Sequence, residues 1–159
     1  TTALDVTVQA QILELLAELK ERLEMAVVLI THDLGMVAEA ADDVLVMYAG
    51  RAVERAPVDE LFARPMMPYT VALLRSVPRA DRPRGAVADP IPGSPPNLLA
   101  LPTGCPFQPR CFLAQEECAH VLPTLTERAP AHSAACVLPA ERVLRETPDA
   151  APAGTEISQ

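Results

Sequence analysis

Apolar side chains early in the chain fall at Val8, Ile12, Leu15, Leu16, Leu19 and Leu23. Steps of three and four residues put them on one stripe of a helix, which the pattern predicts over residues 6–24. Asp5 stands where an N-cap belongs, and Glu18 and Arg22 form a favourably oriented i, i+4 pair on the polar side. The period then changes. Residues 26–30 are a continuous apolar run, rich in β-branched side chains and too short for a helix. Such a run predicts a strand buried on both faces, as in a parallel sheet covered by helices. A helix and then a strand at the start reads as a strand–helix–strand unit without its first strand, and so as the rear of a larger domain.

Further along, Asp33 is placed to cap a helix running to about residue 41. Residues 44–48 and 51–55, joined at Ala49-Gly50, predict a β-hairpin, followed by short helices over 58–63 and 69–76. The texture changes over 79–103, where Pro83, Pro90, Pro92, Pro95, Pro96 and Pro102 exclude regular helix or central strand. This segment reads as an extended linker. A cysteine-bearing, helix-poor segment follows from 105 to 136, then a helical turn over 141–146. Residues 147–159 are rich in Ala, Pro and Gly without apolar patterning, and are expected to be disordered.

Composition narrows the picture. Hydrophobic residues make up 50% of the chain but aromatics only 3%, with no Trp; Ala, Val and Leu of this kind suit helices packed on a sheet. No stretch reaches the roughly 18–20 apolar residues of a membrane span. The net charge of −8 is spread along the chain, which argues against a nucleic-acid partner. All four cysteines lie after residue 104 and the prolines concentrate in the latter half, so the chain divides near residue 78.

His32 falls at the carboxyl end of the expected strand, with Asp33 heading the next helix. Ligands of open parallel sheets sit beyond the carboxyl ends of the strands. A neutral imidazole there can donate one hydrogen bond to a phosphate oxygen and accept another. The plainer alternative is a polar residue that closes a strand.

Thr1-Thr2-Ala3-Leu4-Asp5, about 25 residues of helix and strand, and then Leu29-Ile30-Thr31-His32-Asp33 resemble the ATPase subunits of ABC transporters. The hairpin, from Val44-Leu45-Val46-Met47-Tyr48 through Ala49-Gly50 to Ala52-Val53-Glu54, is similar too. The resemblance covers residues 1–78 and implies part of a P-loop NTPase α/β sheet with its helices. It implies that Ala3, Leu4 and Asp5 form the D-loop, which crosses to a second ATPase subunit. It also implies that His32 is the switch residue, touching the ATP γ-phosphate and the attacking water. Asp5 would equally cap the helix. No Gly-x-x-x-x-Gly-Lys-Ser/Thr phosphate loop occurs in the sequence, so ATP and Mg²⁺ are expected only in an intact subunit, and this chain alone is expected to be inactive.

Cys105, Cys111, Cys118 and Cys136 form a compact set. Their spacing leaves zinc, an iron–sulfur cluster and free thiols open: there is no Cys-x-x-Cys knuckle for zinc, and the wide loops permit a cluster. His120 and His132 lie among them as possible substitute ligands or ordinary polar residues. The flanking residues are more specific. Ile91-Pro92-Gly93-Ser94-Pro95-Pro96-Asn97-Leu98, Gly104-Cys105-Pro106-Phe107-Gln108-Pro109-Arg110-Cys111, Cys118, Pro123 and His132-x3-Cys136 resemble the C-terminal extension of oligopeptide and dipeptide importer ATPases. This resemblance implies a [4Fe–4S] cluster on the four cysteines, with a structural role favoured over a redox one.

The resulting expectation is an α/β chain in three parts. Residues 1–78 form the rear of an ABC ATPase domain, 79–146 a Pro-rich irregular extension with the four-Cys site, and 147–159 a tail. The implied function is powering import of oligopeptides or dipeptides from the cytoplasmic face of the cell membrane, as a peripheral protein. The implied partners are a second ATPase subunit, two permease subunits and, indirectly, an external peptide-binding protein. Nickel import by a related ATPase, or a free-standing iron–sulfur or zinc module without ATPase activity, are the alternatives.

Overall fold

A computed structural model describes residues 6–77 and 90–146. The expected D-loop segment with Asp5, the first part of the expected linker and the tail at 147–159 lie outside the described residues. The chain separates into two compact units, Thr1–Ala41 and Asp42–Gln159.

In the first unit, α1 (Val6–Leu23) is the helix that the apolar spacing predicts, with Lys20 and Arg22 in its last turn, where positive charge suits the helix dipole. It ends where Glu24 takes a positive φ of 49° and the Met25 amide returns to the Lys20 carbonyl. The apolar stripe is largely open: Ile12 and Leu15 are exposed, while Leu13, Leu16 and Leu19 are half-buried. α2 (Leu34–Ala40) begins at the Asp33 cap, as expected. The link between the two helices is a weak one, from Gln9 Nε2 to Met36 Sδ at 3.9 Å.

One expectation fails here. The strand expected over 26–30 is not formed; this stretch is irregular and exposed throughout, with Ile30 at 93%. A doubly buried strand exists only by pairing on its edges and packing on its faces, and no described residues pair with it. The described fold is α/β, but its sheet is antiparallel rather than a parallel P-loop sheet.

That sheet belongs to the second unit. β1 (Asp43–Tyr48) and β2 (Arg51–Pro57) form the expected hairpin. Ala49 and Gly50, with φ of 50° and 74°, make the two-residue turn that matches strand twist. α3 (Val58–Ala63) and α4 (Pro68–Ser76) follow, the latter opened by Pro68, whose missing N–H costs nothing in the first turn.

The region expected to be irregular contributes structure of its own. After a 3₁₀ turn (Gln108–Arg110) and α5 (Glu116–His120), β3 (Thr126–Ala129) and β4 (His132–Ala134) form a second hairpin. β4 pairs with β2, giving one four-stranded antiparallel sheet in the order β1-β2-β4-β3. Strands of three and four residues with a polar, alternating pattern carry little sequence signal; pairing with β2 supplies what they lack. The last helix, α6 (Ala140–Arg145), lies where a helical turn is expected.

The core of this unit draws on both sides of the division near residue 78. Tyr48, Val53, Met67 and Val71 pack with Phe107, Leu113, Leu138 and Val143. Tyr48, Tyr69 and Phe107 touch in edge-to-face and tilted pairs, with ring centroids 4.5–5.3 Å apart. Such pairs contribute about 0.5–1.5 kcal/mol each beyond their buried area. Three of the chain's five aromatic rings thus join the first hairpin, α4 and the cysteine segment.

Candidate functional site

Gly104 determines how the cysteine segment closes. A Cβ on this residue would lie within 3.0 Å of the Cys118 and Ala119 backbone, so only glycine permits the approach. The Cys105 amide donates to the Cys118 carbonyl at 2.8 Å, which draws two cysteines 13 residues apart side by side. The 3₁₀ turn then brings Cys111 back, its amide donating to the Gln108 carbonyl while the Gln108 amide donates to Cys105. Cys136 arrives from just beyond β4, and its carbonyl accepts from Arg128.

All four cysteines line one small cavity, otherwise walled by apolar groups such as Met67, Phe107 and Leu138. None is disulfide-bonded. Burial raises the thiols of Cys105, Cys111 and Cys136, Cys111 to about 11. The neighbouring cysteines push the same way, since two thiolates in one cavity repel. Backbone amides oppose the rise: Phe107 and Gln108 act on Cys105, Leu113 on Cys111 and Leu138 on Cys136. Cys118 Sγ accepts from the Gln115 amide at 3.5 Å. A backbone N–H directed at Cys118 Sγ suits a sulfur carrying negative charge. Among the described residues, no three His, Cys, Asp or Glu side chains stand in a ready-made metal geometry. The sulfurs share a cavity without yet converging on one point.

The two histidines near this set are not part of it. His120 is exposed at the end of α5. His132 is sealed, at 1% exposure, with Nε2 2.8 Å from Glu54 Oε1. Glu54 is also sealed, and its carboxylate accepts from the amides of Met66 (2.5 Å) and Met67 (3.2 Å) ahead of α4. This buried Glu–His pair was not expected from the sequence. The one available signal was a Glu two positions from Ala56, on the same face of a strand. Arg110, next to Cys111 in the sequence, is half-buried. Its Nε and Nη2 donate to the carbonyls of Pro92 and Ile91, and Nη1 reaches Tyr48 Oη.

In the first unit, His32 is exposed in the bend before α2. Asp33 Oδ1 accepts from the Gly35 and Met36 amides at 2.8 and 3.3 Å, and the Asp33 amide donates to Thr31 Oγ1 at 3.0 Å. The loop is thus pinned on both sides of His32 by its own side chains. Among the described residues, no helix is long and apolar enough to cross a membrane.

Residues 53–118 match the family described as the oligopeptide/dipeptide transporter, C-terminal region. The chain is 54% identical over 144 residues to the oligopeptide transport ATP-binding protein OppD of Salmonella typhimurium, covering 91% of this chain and 42% of that protein. It is 56% identical over 137 residues to OppD of Mycobacterium tuberculosis, covering 86% of this chain and 22% of that protein. With the dipeptide transport ATP-binding protein DppD of Bacillus subtilis it shares 49% over 142 residues, covering 89% of this chain and 42% of that protein. The chain thus spans less than half the length of each of these relatives.

Proposed function

Because the chain belongs to the oligopeptide/dipeptide transport ATP-binding family and carries its C-terminal region, we propose that it is part of an ATP-binding subunit that powers ABC import of oligopeptides or dipeptides. The observation that carries this reading is the 54% identity to an oligopeptide transport ATP-binding protein over 91% of the chain. In the intact subunit, ATP and Mg²⁺ bind between this subunit and a second one. Closure and hydrolysis then drive two permease subunits at the cytoplasmic face of the membrane, with peptide delivered by an external binding protein. His32 contacts the γ-phosphate and the attacking water, and Asp5 communicates across the ATPase pair. The exposed imidazole and the self-pinned turn at Thr31 and Asp33 support this role, since they hold His32 free for a ligand. The 159 residues contain no phosphate loop, so turnover is assigned to the intact subunit alone.

On this proposal Cys105, Cys111, Cys118 and Cys136 would hold a metal centre, for which the family resemblance implies a [4Fe–4S] cluster. The donor set fits: four thiols on one apolar-walled cavity, with the Gln115 amide turned toward Cys118 Sγ. Hydrogen bonds to the sulfurs are among the features that stabilise thiolate-bound clusters. When bound, the centre cross-links segments that share little apolar surface. Loading requires the four thiols to lose their protons and move inward.

The test is His32→Ala in the intact subunit assembled with its partners. ATP turnover is expected to fall by about two orders of magnitude or more, with nucleotide binding retained; unchanged turnover would remove His32 from this role. Anaerobic purification with iron, sulfide and zinc analysis tests the centre, and a colourless protein loaded with zinc would replace the cluster with zinc.

A further inference from the structure

β3 is not a regular strand. Thr126 and Glu127 pair with Ala134 and Ser133, but His132 is met by Ala129, so Arg128 is an extra residue opposite nothing on β4. Such a bulge bends the strand and re-aims the side chain of the residue it leaves over. Here the re-aimed guanidinium donates to the Cys136 carbonyl. Cys136 lies two residues past the end of β4, beyond the β3–β4 ladder.

The electrostatics agree with this geometry. Burial raises the Cys136 thiol, and the Leu138 amide and then the Arg128 charge oppose the rise. Arg110, the cation next to the set in sequence, commits its fork to Pro92, Ile91 and Tyr48 instead. The positive charge that acts on Cys136 thus comes from the bulge on β3.

A centre held by four thiolates carries net negative charge. Setting that charge against apolar walls is unfavourable unless a cation stands nearby. Arginine suits the task because it stays charged throughout the working pH range. Its bond here is to backbone rather than to sulfur, so the Cys136 side chain can swing inward on loading while the guanidinium stays in place.

We propose, on the reading of the cysteines as a metal centre, that Arg128 is the charge partner of that centre. The β3 bulge fixes a guanidinium beside Cys136, and this charge strengthens the hold on the metal. Arg128 is a positioning residue in this role and not a ligand.

Zn²⁺ alone is the probe, because four thiolates bind it whichever centre the site holds in the cell. Its affinity is measured by competition with a chromophoric chelator in the intact subunit, purified free of metal. Arg128→Gln keeps an amide donor for the Cys136 carbonyl but loses the charge. A roughly tenfold weaker affinity is expected, as for other outer-shell partners of metal ligands. Arg128→Lys keeps the charge and is expected to stay within about threefold of wild type. Arg128→Glu reverses the charge and is expected to bind on the order of a hundredfold more weakly. Any two variants that fold suffice to check this order. The gap between wild type and Arg128→Gln is also expected to narrow in high salt, which screens a charge on an exposed residue; a purely structural bond does not respond in this way. Equal affinities across the series, or equal losses in Arg128→Lys and Arg128→Gln, overturn the charge partner and leave the metal centre standing. A wild-type protein that binds no Zn²⁺ overturns the metal centre, and the charge partner with it.

Discussion

Glu54 and His132, 78 positions apart in sequence, meet at 2.8 Å with both side chains sealed from solvent. They join β2 to β4, and Glu54 reaches on to the Met66 and Met67 amides before α4. One carboxylate thus secures three segments. Removing one member of such a set leaves the other groups buried without partners, which costs far more than the net contribution of the pair.

Glu54→Ala is accordingly expected to destabilise the second unit by about 3–5 kcal/mol. Glu54→Gln, whose amide oxygen still accepts from the backbone, is expected to cost less. Chemical denaturation of both variants checks the order; equal losses would show that the carboxylate charge contributes nothing.

Gly104→Ala tests the closure of the cysteine segment. The added methyl meets backbone rather than a movable side chain, so Cys105 and Cys118 must separate. The expected loss is about 1–3 kcal/mol, accompanied, if the cysteines hold the proposed metal centre, by reduced metal content after purification. Wild-type metal content in a folded variant would show that the close approach is not required.

Phe107→Ala removes a ring that is 1% exposed and touches both Tyr48 and Tyr69. A loss of about 3–5 kcal/mol is expected in thermal or denaturant unfolding. Phe107→Leu should recover part of it, since volume is restored without the edge-to-face contacts.

Alkaline pH offers a test of the thiols. Burial raises Cys105, Cys111 and Cys136 above their ordinary value, Cys111 to about 11, and burial also raises Tyr69. A group raised on folding stabilises the fold below its unfolded pKa, and that contribution disappears as pH rises through the folded value. The metal-free protein is therefore expected to lose thermal stability between about pH 9 and 11, with a smaller loss in Cys111→Ser. In the loaded protein the order reverses: binding expels thiol protons, so metal affinity is expected to fall with acidity. Proton release measured on loading checks this.

Local chemistry was legible wherever it acts over a few residues. The period of α1, the Asp33 cap, the Ala49-Gly50 turn and the opening of α4 follow from spacing, side-chain reach and backbone freedom, all written in adjacent positions. The four cysteines were legible as a set because their flanking residues are distinctive. What they enclose was not, because the cavity depends on Gly104 meeting Cys118 and on Met67 and Leu138 closing its walls.

The sequence by itself determined α1, α2, the first hairpin, α3, α4, the cysteine set and the family resemblance. Only the tertiary structure decided that the cysteine segment completes the first hairpin's sheet, that Glu54 and His132 pair, and that Arg110 donates to the Pro92 and Ile91 carbonyls. It also decided that the apolar run at 26–30 forms no strand among the described residues. The physical reason is common to these cases. A helix closes its hydrogen bonds within a few residues, whereas a strand or a buried hydrogen-bonded pair exists only when a distant partner arrives.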